Sequence, residues 1–201
     1  MIRVLIAEDQ GMVRGALASL LGLEPDIEVV AQVSRGDEVV PAAVGARPDI
    51  AVLDIEMPGA TGLEAAAELR RELPDCRVLI VTTFGRPGYL RRAMEGGAAG
   101  FLLKDAPASE LASAIRRAHA GERVVDPGLA AAALSEGESP LTEREHEVLL
   151  AARAHTTVAE IAGALYLSPG TVRNHLSSVM RKLNARNRAE ALRVAEEKGW
   201  V

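Results

Sequence analysis

The chain has 201 residues, enough for one or two domains with a sizeable core. Its net charge of −5 at pH 7 arises in the first 129 residues, which contain 14 Lys and Arg against 19 Asp and Glu. Cys76 is the only cysteine, which excludes a disulfide within the chain and a CxxC metal site. No apolar stretch approaches the roughly 20 residues of a membrane span and the first residues enter a strand, so we expect a cytoplasmic protein without direct membrane insertion.

Short apolar runs alternate with longer segments of helical period over the first part of the chain. The apolar runs predict strands at residues 2–7, 27–33, 49–54, 77–82 and 99–103. The segments that follow them predict helices at residues 11–23, 36–46, 62–72, 87–96 and 107–120. Five units of this kind predict an α/β fold, with a doubly wound five-stranded parallel sheet of the flavodoxin-like type and helices on both faces.

The segment from Gly121 to Pro140 changes character, because glycine, proline and serine interrupt the periodic pattern. After it the pattern is wholly helical, with helices predicted at residues 142–154, 157–164, 168–183 and 186–198. Thr142 with Glu145 is typical of a capping box, and Ser168 followed by Pro169 is typical of a helix start. We therefore expect an α/β domain over 1–121, a linker over 122–139 and an all-α four-helix domain over 140–201.

Charged side chains follow three of the predicted strands, at the point where each strand ends. Glu8 and Asp9 follow the first strand, Asp54 ends the third, and Lys104 follows the fifth. Because parallel strands of a doubly wound sheet end at one edge, we expect these four groups to converge. Carboxylate oxygens suit Mg²⁺, and an ammonium group can offset the charge of a phosphoryl group. The pattern predicts a site that binds Mg²⁺ and a phosphoryl group.

Each residue of this site has an expected role if Asp54 accepts the phosphoryl group. We expect Asp9 and Asp54 to bind Mg²⁺ directly and Glu8 to bind it through water. The backbone carbonyl of Glu56 could complete the protein ligands. Lys104 would then pair with the phosphoryl oxygens, because an ammonium group neutralises the approach of a phosphate to a carboxylate.

Two further residues admit both a structural and a functional interpretation. Thr82 ends the fourth predicted strand, where its hydroxyl could donate a hydrogen bond to the phosphoryl group or serve the strand end alone. Phe101 precedes Lys104 by three residues and fits either a core position or a moving switch.

The residues around this site resemble the receiver domain of bacterial two-component response regulators over residues 1 to about 120. The resemblance is carried by Glu8-Asp9, Asp54-Ile55-Glu56-Met57-Pro58-Gly59, Thr82-Thr83 and Gly100-Phe101-Leu102-Leu103-Lys104. It implies that a sensor histidine kinase transfers phosphate to Asp54. It also implies that Thr82 and Phe101 move together as the signal leaves the site.

The helix predicted from Ser168 has a buried stripe at helical spacing and a polar remainder. The stripe consists of Val172, Leu176, Val179 and Leu183. An exposed face that mixes Arg, Asn and Ser suits a DNA groove, because Arg can read guanine or bind phosphate and Asn can read adenine. A solvated helical face is the other interpretation. The residues outside the stripe include Thr171, Arg173, Asn174, Ser177 and Arg181.

The second domain resembles the LuxR-type helix-turn-helix domain over residues 140 to 201. The resemblance is carried by Leu141-Thr142-Glu143-Arg144-Glu145, Glu160-Ile161-Ala162, Leu167-Ser168, Thr171-Val172-Arg173-Asn174-His175, Lys182-Leu183 and Asn187-Arg188. It implies that the third helix of the domain enters the major groove of double-stranded DNA. By position, it also implies groove contacts for Arg173, Asn174 and Ser177 and a backbone contact for Thr171. We predict further DNA contacts for Arg181 and Lys182. His155 and Val158 depart from the family pattern, which usually has Gly and often Asn there, so we expect a different turn before the second helix.

Together the two domains resemble the NarL/FixJ class of response regulators. Glu8-Asp9-Gln10 and the run from Asp54 to Gly59 resemble in particular the DesR-like branch, which regulates membrane-lipid desaturation. The class implies a homodimer that forms on phosphorylation through the first and fifth helices. On those helices the predicted apolar contributors to the contact, each of which fits a core position equally well, are Met12, Val13, Leu111 and Ile115.

Two alternatives to a phosphorylation-controlled transcription factor stay open at this point. One is a DNA-binding regulator whose receiver is inert. The other is an aspartyl-phosphate phosphatase, because Asp54-Ile55-Glu56 distantly resembles a nucleophile followed two residues later by a general acid. The DNA-reading pattern at the other end of the chain disfavours the phosphatase.

Overall fold

The computed structural model describes residues 1–83, 85, 87–135, 139–198 and 200. The chain divides into two compact units, one formed by residues 1–85 and 90–130 and the other by residues 131–201 with the short segment 86–89. The division falls inside the predicted linker, so the predicted domain boundaries stay a prediction. Residues 136–138 of that linker, and residues 199 and 201 of the predicted second domain, lie outside the described residues.

The first unit is a three-layer α/β domain. Its strands are β1 (Ile2–Ala7), β2 (Ile27–Val33), β3 (Ile50–Leu53), β4 (Arg77–Thr82), β5 (Gly100–Leu103) and β6 (Val124–Val125). The helices that follow the strands are α1 (Gly11–Leu21), α2 (Val39–Ala46), α3 (Gly62–Glu72), α4 (Pro87–Glu95), α5 (Ala108–His119) and α6 (Pro127–Ser135), with a 3-10 turn at Gly36–Glu38 before α2. Two of them cross the division, because residues 87–89 of α4 and 131–135 of α6 belong to the second unit. All strand pairs are parallel, in the order β2-β1-β3-β4-β5-β6.

The predicted parallel α/β fold is confirmed, and within the described residues the sheet has six strands where five were predicted. The added strand β6 lies in the segment that was predicted to be linker. Val124 and Val125 pair with Gly100 and Phe101, and the amide of Val124 donates to the carbonyl of Ala99 at 2.9 Å. A two-residue strand has no periodicity in the sequence, and its pairing covers the backbone edge of β5.

One hydrophobic core of this unit fills the space between the sheet and helices α1 and α5. Leu111 and Ile115, at 7 % and 0 % exposure, belong to this core because helical spacing places both on the side of α5 that faces the sheet. Core packing accounts for both residues, and their predicted contribution to a dimer contact stays a prediction. Met12 is 90 % exposed and Val13 is half-buried, so both remain available on α1.

The second unit contains α7 (Glu143–Ala154), α8 (Val158–Ala164), α9 (Pro169–Lys182) and α10 (Arg188–Glu197). Thr142 with Glu145 and Thr157 with Glu160 form complete capping boxes, and the hydroxyl of Ser168 accepts from the amide of Thr171. The predicted buried stripe of α9 lies in the cores of this unit. None of the helices within the described residues has the length and hydrophobicity that a membrane crossing requires.

Candidate functional site

The register of the parallel sheet brings the predicted site residues of the first unit to one edge. Ala7 of β1 pairs with Leu53 of β3, and the amide of Asp54 donates to the carbonyl of Ala7 at 2.9 Å. On the other side, the amide of Lys104 donates to the carbonyl of Thr82 at 2.9 Å. The residues directly after each strand therefore face a common space above the sheet, as the sequence pattern predicted.

Lys104 bridges two of the carboxylates. Its Nζ lies 2.6 Å from Oε2 of Glu8 and 2.9 Å from Oδ2 of Asp54. Only 10 % of the Lys104 side chain, 1 % of the Glu8 side chain and 6 % of the Asp54 side chain is exposed. The three groups form a nearly buried ionic cluster, in which the ammonium group offsets repulsion between the two carboxylates.

Burial and pairing act against each other on the charged groups of this cluster. Burial raises the pKa of Glu8 above its ordinary value, and the negative charge of Asp54 adds to this effect, although the hydrogen bond from Lys104 opposes it. For Lys104 burial alone would lower the pKa, but the hydrogen bonds to Glu8 and Asp54 raise it above its ordinary value. The ammonium group therefore stays charged wherever the carboxylates are ionised.

Glu8, Asp9 and Asp54 each offer a carboxylate oxygen, and these oxygens all lie within 4.8 Å of one another. An all-oxygen set of this size fits Mg²⁺, which prefers a few carboxylates and completes its octahedron with water. Asp9 is exposed, so one side of the cluster is open to solvent. The side chain of Glu56 is also exposed, and the role predicted for its backbone carbonyl stays a prediction.

The backbone around Asp54 is fixed by contacts that the sequence patterns did not predict. The amide of Ile55 donates to Oδ1 of Asp54 at 2.7 Å, and the Arg14 guanidinium donates to the carbonyl of Glu8 at 2.6 Å. A Cβ on Gly62 would lie 1.9 Å from the carbonyl oxygen of Asp54, so only glycine fits there. Neither Gly62 nor Arg14 stands out in the sequence, because the contact of each is with the backbone of a residue in another element.

Thr82 and Phe101 lie in neighbouring strands and are both buried, at 1 % and 0 % exposure. Thr82 pairs with Leu103, and Phe101 pairs with Ile80 on one side and with Val125 of β6 on the other. The structure therefore places Thr82 at the edge that carries the ionic cluster. It places Phe101 between β4 and the added strand β6, and the predicted switch roles of Thr82 and Phe101 stay predictions.

A second candidate site is the exposed face of α9. Arg173, Asn174, Ser177 and Arg181 are all exposed, and their spacing places them on one side of the helix. Thr171 is half-buried, with its hydroxyl 2.9 Å from the capping hydroxyl of Ser168. These residues present hydrogen-bonding groups and two guanidinium groups on the exposed side of α9.

Lys182 differs from the other residues predicted to contact DNA. Its Nζ lies 2.6 Å from Oε2 of Glu145, and only 6 % of the Glu145 side chain is exposed. Burial alone would raise the pKa of Glu145, but the hydrogen bond from Lys182 and those from Thr142 lower it to about 2. Lys182 thus joins the end of α9 to the start of α7, and its predicted DNA contact stays a prediction.

The two departures from the family pattern fall in the turn before α8. His155 ends α7 with φ −121° and ψ 134°, an extended conformation that every residue type can adopt, so glycine is not required. The Arg188 guanidinium donates to the carbonyls of His155 and Thr156, at 3.2 and 2.9 Å. Val158 is the first residue of α8, whose start is capped by Thr157.

Comparison with known families gives two matches that together cover most of the chain. Residues 4–116 match the response regulator receiver domain family, and residues 139–195 match the luxR family of bacterial regulatory proteins. The first match contains every residue of the ionic cluster. The second contains the whole of α9 and the turn that precedes it.

Full-length relatives share both parts. The chain is 49 % identical to the uncharacterized transcriptional regulatory protein YvfU of Bacillus subtilis, with 100 % of each chain covered. It is 48 % identical to the transcriptional regulatory protein DesR of the same organism, with 100 % of this chain and 99 % of DesR covered. Among solved structures, the response regulator ChrA of a heme-sensing two-component system is 34 % identical, with a TM-score of 0.58 and coverage of 100 % and 98 %.

Proposed function

This chain belongs to the two-component response regulators with a LuxR-type DNA-binding domain, and we propose that phosphorylation of Asp54 controls its binding to DNA. The observation that supports this most directly is the buried bridge from Lys104 to Glu8 and Asp54. In the proposed reaction a carboxylate oxygen of Asp54 attacks the phosphorus of a phosphohistidine in a sensor histidine kinase, and the phosphorus–nitrogen bond breaks. The phosphoryl group is then held as an acyl phosphate.

Lys104 has the position needed to stabilise that product. Phosphorylation places new negative oxygens beside Glu8, and the ammonium group between the two carboxylates can turn from Glu8 toward the phosphoryl oxygens. Asp9, Asp54 and, through water, Glu8 would hold Mg²⁺, with the carbonyl of Glu56 as a further ligand. When bound, Mg²⁺ supplies positive charge that offsets repulsion between the carboxylates and the incoming phosphate.

The proposed output of the first unit is dimerisation. Thr82, buried at the same sheet edge, would move toward the phosphoryl group, and Phe101 in the adjacent strand would repack. The surface proposed for the contact with a second copy is the exposed apolar side of α1 and of the residues after it, where Met12, Leu20 and Leu23 are 90 %, 42 % and 80 % exposed. Such a two-fold contact would place two copies of α9 on related half-sites.

The proposed output of the second unit is sequence-specific binding of double-stranded DNA. Arg173, Asn174 and Ser177 lie on the exposed side of α9 from which base edges in a major groove could be read. Arg181 on the same side and the half-buried Thr171 would contact the phosphate backbone. These assignments are supported by exposure and by the match to the luxR family.

The proposed targets are genes of membrane-lipid desaturation, because the chain resembles DesR-like regulators in its acidic motifs. The identity to DesR, at 48 %, is almost the same as that to YvfU, at 49 %, so identity alone does not select these targets. Sequencing of the DNA that co-precipitates with the protein from its own cells tests the proposal. Recovery of promoters with no desaturase gene downstream contradicts it.

Phosphorylation itself is tested by incubating the protein with acetyl phosphate and Mg²⁺ and measuring the intact mass. We expect addition of one phosphoryl group, loss of the label in Asp54→Asn, and strong weakening in Asp9→Asn. Asp75→Asn removes an exposed carboxylate away from the cluster and serves as the control. Labelling of Asp54→Asn at the wild-type level rejects the proposed phosphoacceptor and favours a regulator with an inert receiver.

A further inference from the structure

Tyr166 lies in the turn between α8 and α9 and combines two unusual features. It is 96 % exposed, so its aromatic ring packs against almost nothing. Its φ of +55° lies in the left-handed region that glycine occupies without strain and that a tyrosine rarely adopts. Neither packing nor backbone preference therefore accounts for a tyrosine at this position.

The residues on both sides of Tyr166 fix its outward direction. Leu165 and Leu167 are partly buried against the core formed by α7, α8 and α9. The amide of Leu167 donates to the carbonyl of Ala162 at 2.9 Å, and the Arg144 guanidinium donates to the carbonyl of Leu165 at 3.2 Å. With both neighbours anchored, the phenol of Tyr166 is held in solvent next to the start of α9.

We infer that the Tyr166 hydroxyl donates a hydrogen bond to a DNA phosphate at the edge of the groove that α9 enters. The inference rests on the proposed docking of α9. When the first residues of a recognition helix enter the major groove, the turn before them lies beside the phosphates that border it. Tyrosine hydroxyl groups are among the donors that proteins use toward DNA phosphates, and Tyr166 stands two residues before the helix cap Ser168.

A neutral donor to phosphate has a distinct signature in binding measurements. Removing it weakens binding to every DNA sequence by the same factor, because phosphates carry no sequence information. It leaves the dependence of affinity on salt unchanged, because no cationic side chain and no counterion release are involved. Loss of a base contact instead weakens binding only to the preferred sequence, and loss of a cationic contact changes the salt dependence of binding.

The experiment uses the full-length protein and a duplex that the wild-type protein selects from a random-sequence library, with a scrambled duplex of equal length. Tyr166→Phe removes only the hydroxyl, and Tyr166→Gly removes the ring and relieves the backbone. We expect both variants to bind both duplexes about five-fold more weakly, with unchanged salt dependence, and to keep the wild-type melting temperature or exceed it.

Two controls separate the contact from other effects. Asn184 has φ +51° in the turn at the opposite end of α9, so Asn184→Gly makes the same kind of backbone change away from the groove edge and should bind DNA normally. Arg173→Ala should lose affinity for the selected duplex only. In ethylation interference, there should be one phosphate whose ethylation weakens DNA binding by the wild-type protein but not by Tyr166→Phe.

Each other outcome has a definite meaning. Wild-type affinity in both Tyr166 variants, with Arg173→Ala impaired, overturns the inference and leaves the docking of α9 intact. If Arg173→Ala also binds with wild-type affinity, the proposed docking of α9 is overturned together with the inference. A loss confined to the selected duplex, or an equal loss in Asn184→Gly, overturns the phosphate contact in favour of base reading or of backbone rigidity.

Discussion

Lys104 and Glu8 form a buried ion pair of 2.6 Å at the carboxyl edge of the sheet, and the same ammonium group also reaches Asp54 at 2.9 Å. One positive charge therefore holds together two carboxylates that are almost fully removed from water. Without the Lys104 ammonium group these two carboxylates would destabilise the folded state, because each buried carboxylate needs a counter-charge. We therefore expect this site to accept a second cation and, on the proposed phosphorylation, to let Lys104 exchange Glu8 for the phosphoryl group.

Lys104→Met should expose this dependence, because it leaves Glu8 and Asp54 close together without their ammonium group. We expect a loss of about 3 kcal/mol in the free energy of unfolding without Mg²⁺. Mg²⁺ should raise the melting temperature of the variant more than that of the wild type, since the ion replaces the missing charge. Thermal unfolding with MgCl₂, against NaCl of equal ionic strength, measures this, and equal Mg²⁺ shifts in the two proteins would contradict it.

Gly62→Ala should disturb both stability and phosphorylation, because a Cβ at Gly62 would lie 1.9 Å from the carbonyl oxygen of Asp54. We expect a loss of about 2 kcal/mol and slower labelling by acetyl phosphate as the backbone of Asp54 shifts. Gly45→Ala is the matched control in α2, where no atom lies within 4 Å of the added Cβ. It should gain about 0.5 kcal/mol. Similar stability changes in the two variants would show that the close contact with the Asp54 carbonyl does not exclude a side chain at residue 62.

Met12→Asp should leave folding and Asp54 phosphorylation unchanged, because Met12 is 90 % exposed on α1. It should abolish phosphate-dependent dimerisation, because the contact would bury an unpaired carboxylate. Val44→Asp places the same charge on α2, at a residue that is 46 % exposed, and should still dimerise. Sedimentation of the phosphorylated proteins measures this, and an unaltered dimer in Met12→Asp would contradict the proposed contact. Ile115→Asp does not test the contact, since Ile115 is fully buried and the charge would unfold the domain.

The stability of the second unit should fall as the pH drops from about 4.5 toward 2, because Glu145 has an ordinary pKa of 4.5 when unfolded and a pKa of about 2 when folded. A lowered folded pKa adds stability above the unfolded pKa and loses it as the carboxylate becomes protonated. The expected loss is on the order of 2 kcal/mol. Fluorescence of Trp200, the only tryptophan, follows this unit during denaturation because Trp200 packs against its core.

Lys182→Ala provides the matched comparison for this pH dependence. It should cost about 2 kcal/mol near pH 7 and flatten the change between pH 4.5 and 2, because the buried Glu145 loses its partner. Arg181→Ala removes the same charge one residue earlier from an exposed side chain and should change stability by less than about 0.5 kcal/mol. Identical pH profiles for Lys182→Ala and the wild type would show that the pair contributes nothing to the fold.

Much of the fold followed from the sequence alone, because buried parallel strands and amphipathic helices leave strong periodic patterns. The predicted strands at 2–7, 27–33 and 77–82 and the helix at 62–72 coincide with β1, β2, β4 and α3. The placement of Glu8, Asp54 and Lys104 together also followed, since each ends a strand and parallel strands end at one edge. These inferences need only local pattern and one topological rule.

Tertiary structure decided the features that depend on partners distant in the sequence. Strand β6 exists because two residues pair with the edge of β5, and a strand that short has no pattern of its own. The apolar residues of α1 and α5 were indistinguishable as core or surface until packing buried Ile115 and exposed Met12. Lys182 and Glu145 are 37 residues apart, so the partner of each charge depends on how α7 and α9 pack, which helical period does not specify.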